Sequence, residues 1–305
     1  MGRPDKKNPL RLLAQGDLPP PLVYQLGWGM TPRLSPDGNS VAWLQKGDLV
    51  VTHLETGLTR VVATKTGTPI AWTPDGKRLI HQILPEQPGG GGMQSKPVDG
   101  SAPAERLTSS KVWQQPQVVT RDGRFLVYQE SGGLGTQQRD APDNYDLWLL
   151  PLAPRGEPRP LLKTPANERL AHVSPDQRWM AYVSDESGRD QVWVRAFPEG
   201  PAAVQVSQDG GTEPVWAPDG ATLYYRNRTG KQVYAVPVTP GTVPQFGAPV
   251  VTAGNWLAGY SFTRTYDIRP DGRALLLLAE PALGRELRIV LNADELIRRK
   301  MAGNK

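Results

Sequence analysis

Few side chains in this sequence could do chemistry, and their spacing restricts what they can do. There are three histidines, His53, His81 and His172, and no cysteine. Disulfides, thiolate metal ligands and cysteine nucleophiles are therefore excluded. A histidine cluster can hold a catalytic metal, but these three fall in different repeats and at different strand levels, so neither a metal centre nor another cofactor is expected. A serine hydrolase would need a Gly-x-Ser-x-Gly elbow. The nearest approaches, Gly38-Asn39-Ser40-Val41-Ala42 and Gly259-Tyr260-Ser261-Phe262-Thr263, lack the second glycine. Pro88 to Gly92 carries four consecutive glycines, but no Gly-Lys-Ser/Thr follows. It reads as a flexible turn and not as a phosphate cradle.

The aspartates follow a pattern. Six turns repeat along the chain: Ser35-Pro36-Asp37-Gly38, Thr73-Pro74-Asp75-Gly76, Arg121-Asp122-Gly123, Ser174-Pro175-Asp176-Gln177, Ala217-Pro218-Asp219-Gly220 and Arg269-Pro270-Asp271-Gly272. Proline presets φ for a type I turn, aspartate bonds back to the local backbone, and glycine takes the left-handed position that closes a hairpin. That structural duty accounts for the aspartates without a calcium site. Successive aspartates lie 38, 47, 54, 43 and 52 residues apart, room for four short strands and their loops.

The flanks keep the same register. Three residues before each aspartate stand Leu34, Trp72, Val119, Val173, Trp216 and Ile268; four after it, Val41, Leu79, Leu126, Met180, Leu223 and Leu275; six after it, Trp43, His81, Tyr128, Tyr182, Tyr225 and Leu277. Only His81 departs from hydrophobic character among these 18 positions, in a chain that is 38% hydrophobic, so the columns read as the buried face of a strand. Third strands are expected at Leu49–Leu54, Gln94–Val98, Leu147–Leu152, Val192–Phe197, Val233–Val238 and Leu287–Leu291. Fourth strands are expected at Thr59–Ala63, Glu105–Thr108, Pro160–Lys163, Val204–Ser207 and Pro249–Thr252. The last repeat lacks one, and Leu10–Ala14 is expected to supply it, so that no sheet edge is left open.

The fold expected is all-β, a six-bladed β-propeller of four-stranded antiparallel blades over residues 9–291. An N-terminal tail (1–8) precedes it, and a short C-terminal helix, Ala293 to Lys300, with a tail follows (292–305). The repeated Pro-Asp-Gly turn with an upstream Trp or Val resembles the WD-repeat-like propellers of the TolB family. The turn Lys96-Pro97-Val98-Asp99-Gly100, leading to Arg106-Leu107-Thr108, fits the same pattern. Propeller domains of dipeptidyl-peptidase-type enzymes and of bacterial serine/threonine kinases are similar too, without their catalytic domains.

The resemblance implies a binding module of bacterial type and not an enzyme: a scaffold that meets a protein or peptide partner through one loop face. The alternative is a sensor domain binding a small molecule or peptide in the central channel; a lyase or glycan hydrolase comes last. The loop-face candidates are Trp28, Trp113, Arg169, Glu213, Trp256 and Tyr260, with Arg139, Asp140 and Asp143 on the long connection from Glu130 to Tyr145. The net charge of +5 is spread over the chain, which argues against nucleic acid as a partner. No run of about 18 apolar residues suggests membrane insertion, and a monomer is expected. As written the chain has no signal peptide and reads as cytoplasmic, or as periplasmic if it is a mature or trimmed form.

Overall fold

A computed structural model describes residues 11–12, 22–26, 31–45, 47–84, 90–131, 145–200, 203–254, 263–269, 274–280 and 284–290. Its strands form six antiparallel sheets. The first sheet runs Arg33–Leu34, Ser40–Gln45, Asp48–His53 and Thr59–Ala63, each strand paired with the one before it. The next four sheets begin with Gly67–Trp72, Gln114–Val119, Glu168–Val173 and Gly211–Trp216 and repeat that order. In the fifth, Gln232–Thr239 pairs along its length with both Gln245–Phe246 and Val250–Gly254. The expected third and fourth strands are all present, with ends shifted by a few residues.

The sixth sheet joins the two ends of the chain. Tyr266–Ile268, Ala274–Glu280 and Gly284–Val290 are followed in space by Leu22–Leu26 and then Arg11–Leu12. Tyr24 stands opposite Leu287. The strand against Gly284–Val290 is thus Leu22–Leu26 and not Leu10–Ala14, whose central Arg11–Leu12 pairs one place further out. Leu22-Val23-Tyr24-Gln25-Leu26 is the richer strand former, and Pro19-Pro20-Pro21, without amide donors, sets where it starts. The expected helix at Ala293 to Lys300 lies outside the described residues.

The repeated turn works as its residue types require. Gly38 N–H donates to the Ser35 carbonyl at 2.8 Å, and Asn39 N–H donates to Asp37 Oδ1 at 3.0 Å. The aspartate-to-amide bond recurs at Lys77, Arg124, Arg178 and Ala221. A hydroxyl two residues before the aspartate adds a second brace: Ser35 Oγ, Thr73 Oγ1, Thr120 Oγ1 and Ser174 Oγ each donate to it. Gly38, Gly76, Gly123 and Gly220 have φ near +70°, and Gln177 holds the same left-handed position at +59°.

Burial follows the columns. Leu79, Leu126, Met180 and Leu223 are fully enclosed, and each packs against the preceding sheet. Trp216, Leu223 and Tyr225, for example, meet Ala181, Val192, Val194 and Val206 of the fourth sheet. At the other end of this packing, the first strand of each sheet touches the first strand of the next. Tyr266–Ile268 touches Arg33–Leu34, so the contacts form a closed circuit around an axis.

His81, the one polar residue in the columns, is buried with its ring nitrogens satisfied. Nδ1 lies 2.7 Å from Thr66 Oγ1, which itself donates to the Gln82 carbonyl, and Gln94 Nε2 lies 3.3 Å from Nε2. This pattern suits a neutral imidazole, and burial lowers its pKa from 6.5 to about 4. The unfolded chain takes up a proton as pH falls below 6.5, whereas the native state resists until about pH 4. Stability should therefore decline between those values by about 3 kcal/mol and level off below. Urea denaturation at several pH values should show that slope in the wild type and a flatter one in His81→Leu.

Candidate functional site

The residue just before each buried inner-strand position belongs to the other side of the strand. Four residues before the turn aspartates, this second column reads Arg33, Ala71, Val118, His172, Val215 and Asp267. All six line one or both of two adjoining cavities at the turn end of the inner strands, of about 330 and 480 Å³. The turn residues Pro36, Pro74, Pro175 and Pro218 line the same space, and where the third repeat lacks proline, Arg121 does so.

Polar members of this column serve the next sheet first. Asp267 Oδ2 accepts the Leu34 amide at 3.0 Å, and His172 Nδ1 accepts the Trp216 amide at 3.1 Å. Each thus satisfies a backbone donor on the axis-facing edge of an inner strand. The His172 bond also assigns the tautomer: with Nδ1 accepting, the ring proton sits on Nε2. Burial, reinforced by the guanidiniums of Arg264 and Arg33, holds the His172 pKa well below its ordinary value, so the ring is neutral.

Arg33 is buried, and its Nη1 donates to the carbonyls of Pro32 and Arg264 at 2.8 and 2.9 Å. Burial, then Arg264, lowers its pKa from the usual guanidinium range, while Asp267 and Glu213 oppose the shift. A guanidinium starts so high that it keeps its charge. Arg264 is also buried and sits 3.6 Å from Asp267 Oδ1. Two cations therefore share one carboxylate beside a cavity. The arrangement can bind an anion through Arg33 and Arg264 and offer one further donor, His172 Nε2–H. Among the described residues, no three histidine, cysteine, aspartate or glutamate side chains converge in a way that could hold a metal.

Of the residues expected at a site, Glu213 and Arg169 are committed to ion pairs. Glu213 Oε1 is 2.7 Å from Arg226 Nη1, both side chains are fully buried, and Glu213 Oε2 accepts the Thr265 amide and hydroxyl, each at 2.7 Å. This network ties the fifth sheet to the sixth. It depends on a bulge in which Glu213 adopts φ +52°, the counterpart of Leu170 at +57° in the fourth sheet. Arg169 pairs with Asp190. Trp113 is half-buried, and its carbonyl accepts the Ser131 amide. Trp28, Arg139, Asp140, Asp143, Trp256 and Tyr260 lie outside the described residues. Arg33, Asp267, Arg264 and Arg121 were not among the expected site residues. The signal for three of them is in the repeat itself: Arg33 and Asp267 stand one residue before a buried column, and Arg121 breaks a run of prolines.

Removing one partner of the buried pair should show its structural weight. Glu213→Gln leaves Arg226 charged and enclosed and should cost about 3–5 kcal/mol in chemical denaturation. The double variant Glu213→Leu, Arg226→Met should recover much of that loss, since Leu170 already holds the same backbone conformation.

No protein-family model and no curated protein matches the sequence. Solved structures do match in fold. A TolB from Agrobacterium tumefaciens superposes with a TM-score of 0.60 at 17% identity, over 89% of this chain and 90% of that one. A gluconolactonase from Xanthomonas campestris also gives 0.60, at 13% identity, over 93% and 95%. An oligogalacturonate lyase from Vibrio parahaemolyticus gives 0.57 at 15%, over 88% and 79%. The fold is that of a TolB-like β-propeller, as the repeat implied. The expectation of a non-catalytic scaffold acting through a loop face does not stand. Enzymes share this fold at the same level of similarity as TolB, so the propeller gives no ground for a non-catalytic role.

Proposed function

We propose that the chain is a six-bladed propeller, closed by its N-terminal strand, whose working part is a small-molecule site in the channel at the turn end of the inner strands. The observation that carries this reading is the convergence of Arg33, Arg264, Asp267 and His172 on the wall of a cavity. Its volume, about 330 Å³ with a further 480 Å³ adjoining, is in the range of sites for small organic molecules. Apolar surface from Ala71, Val118 and Trp72 alternates with the charged groups, giving a ligand both a contact face and an orientation. The circuit of inner-strand contacts and the pairing of Leu22–Leu26 with Gly284–Val290 support the six-bladed closure.

The test is a screen of small metabolites by thermal shift and ligand-observed NMR, comparing wild type with Val118→Phe, which fills the cavity from its wall. At least one compound should stabilise the wild type and lose its effect in the filled variant. Following the same samples for hours reads any turnover. Binding that survives in Val118→Phe, or no binding at all, would overturn the channel reading.

A further inference from the structure

Resting on that channel reading, we infer that the ligand is a small organic monocarboxylate whose carboxylate sits between Arg33 and Arg264. The argument starts from a charge count inside the wall. Glu213 and Arg226 neutralise each other at 2.7 Å. Asp267 is the remaining carboxylate among the groups that act on Arg33, and it faces two guanidiniums, Arg33 and Arg264. With His172 neutral, the set carries one positive charge that no other group among the described residues compensates. Burying such a charge is costly unless a counter-charge joins it.

Hydrogen bonding leads to the same place. The Arg264 side chain is nine-tenths buried, yet among the described residues its guanidinium donates no hydrogen bond and has only the 3.6 Å approach to Asp267. Arg33 uses Nη1 twice, while its Nε has no partner among the described residues. Asp267 is already held by the Leu34 amide at Oδ2 and the Ile268 amide at Oδ1, and at 3.6 Å it makes no hydrogen bond to Arg264. A guanidinium presents a planar fork that a carboxylate matches. The surplus of one charge suits a monoanion better than a phosphate dianion. His172 Nε2–H is then the donor available to a hydroxyl or carbonyl on the rest of the ligand. Arg121 is exposed at the mouth, where solvent screens it, so it steers an anion inward without adding to the buried surplus.

The experiment measures thermal shift on the full chain with three probes of similar size: glucuronate, glucose 6-phosphate and uncharged glucose. Wild type, Arg264→Met and Val118→Phe are compared. Glucuronate should raise the wild-type midpoint by roughly 3–6 °C at a hundredfold excess over Kd, and both variants should lose the shift. Arg264→Met alone should melt no lower than wild type, because it removes an uncompensated charge. If that variant does not fold, Arg264→Lys replaces it, keeping the charge without the fork, and should bind glucuronate at least tenfold more weakly by calorimetry. Glucose shifting wild type and Arg264→Met equally, but not Val118→Phe, would overturn the carboxylate inference and leave the channel site standing. Stabilisation by glucose 6-phosphate alone would overturn the monoanion argument. No shift with any probe, together with a failed metabolite screen, would overturn both readings.

Discussion

Two adjacent residues near the end of an extended inner strand point to opposite sides, and this molecule uses that constraint in every described repeat. The second of the two faces the preceding sheet, and the first faces the other way, toward the following sheet and the cavities. Trp72, Val119, Val173 and Trp216 fill the seam and lock each sheet to its predecessor. Packing at the seam therefore holds the residue before it, whatever its chemistry, against the channel.

That separation explains why departures from the repeat carry the interest. Ala71, Val118 and Val215 keep the axis-facing column small and apolar, whereas Arg33, His172 and Asp267 bring charge and hydrogen bonding into it. Two of these polar residues also cap backbone amides of the neighbouring sheet, so they stabilise the ring and shape the cavity together. Among the described residues, Arg33 and Arg264 have no such structural account for all their donors.

Features set by near neighbours in sequence were legible before the structure. Proline, aspartate and a left-handed glycine define a turn within four residues, and period-two burial follows directly; both appear as read. The nature of the seam was also legible, although the polar partners of His81 were not, because Thr66 lies in the loop before an inner strand and Gln94 on a third strand, and neither has a motif of its own. The candidate site was legible only in part. Its column could have been aligned one residue upstream of the buried one, but Arg264 falls outside that column. Glu213 read as a loop-face residue because nothing local reveals the bulge that turns its carboxylate toward Arg226 and Thr265. The N-terminal strand was placed by likeness to another repeat, whereas the stronger strand former nearby took the position.

The sixth sheet contains both the earliest and the latest described strands of the chain. Leu22–Leu26 leaves the ribosome well before its partner Gly284–Val290, which follows some 260 residues later. Until then the edge that will meet Gly284–Val290 has no native mate, although Arg11–Leu12 is at hand for the other edge. The circuit thus behaves like a clasp that closes only after Gly284–Val290 has been made. The order of strands along the chain, and not the architecture, thus makes this pairing the most long-range of the sheet contacts.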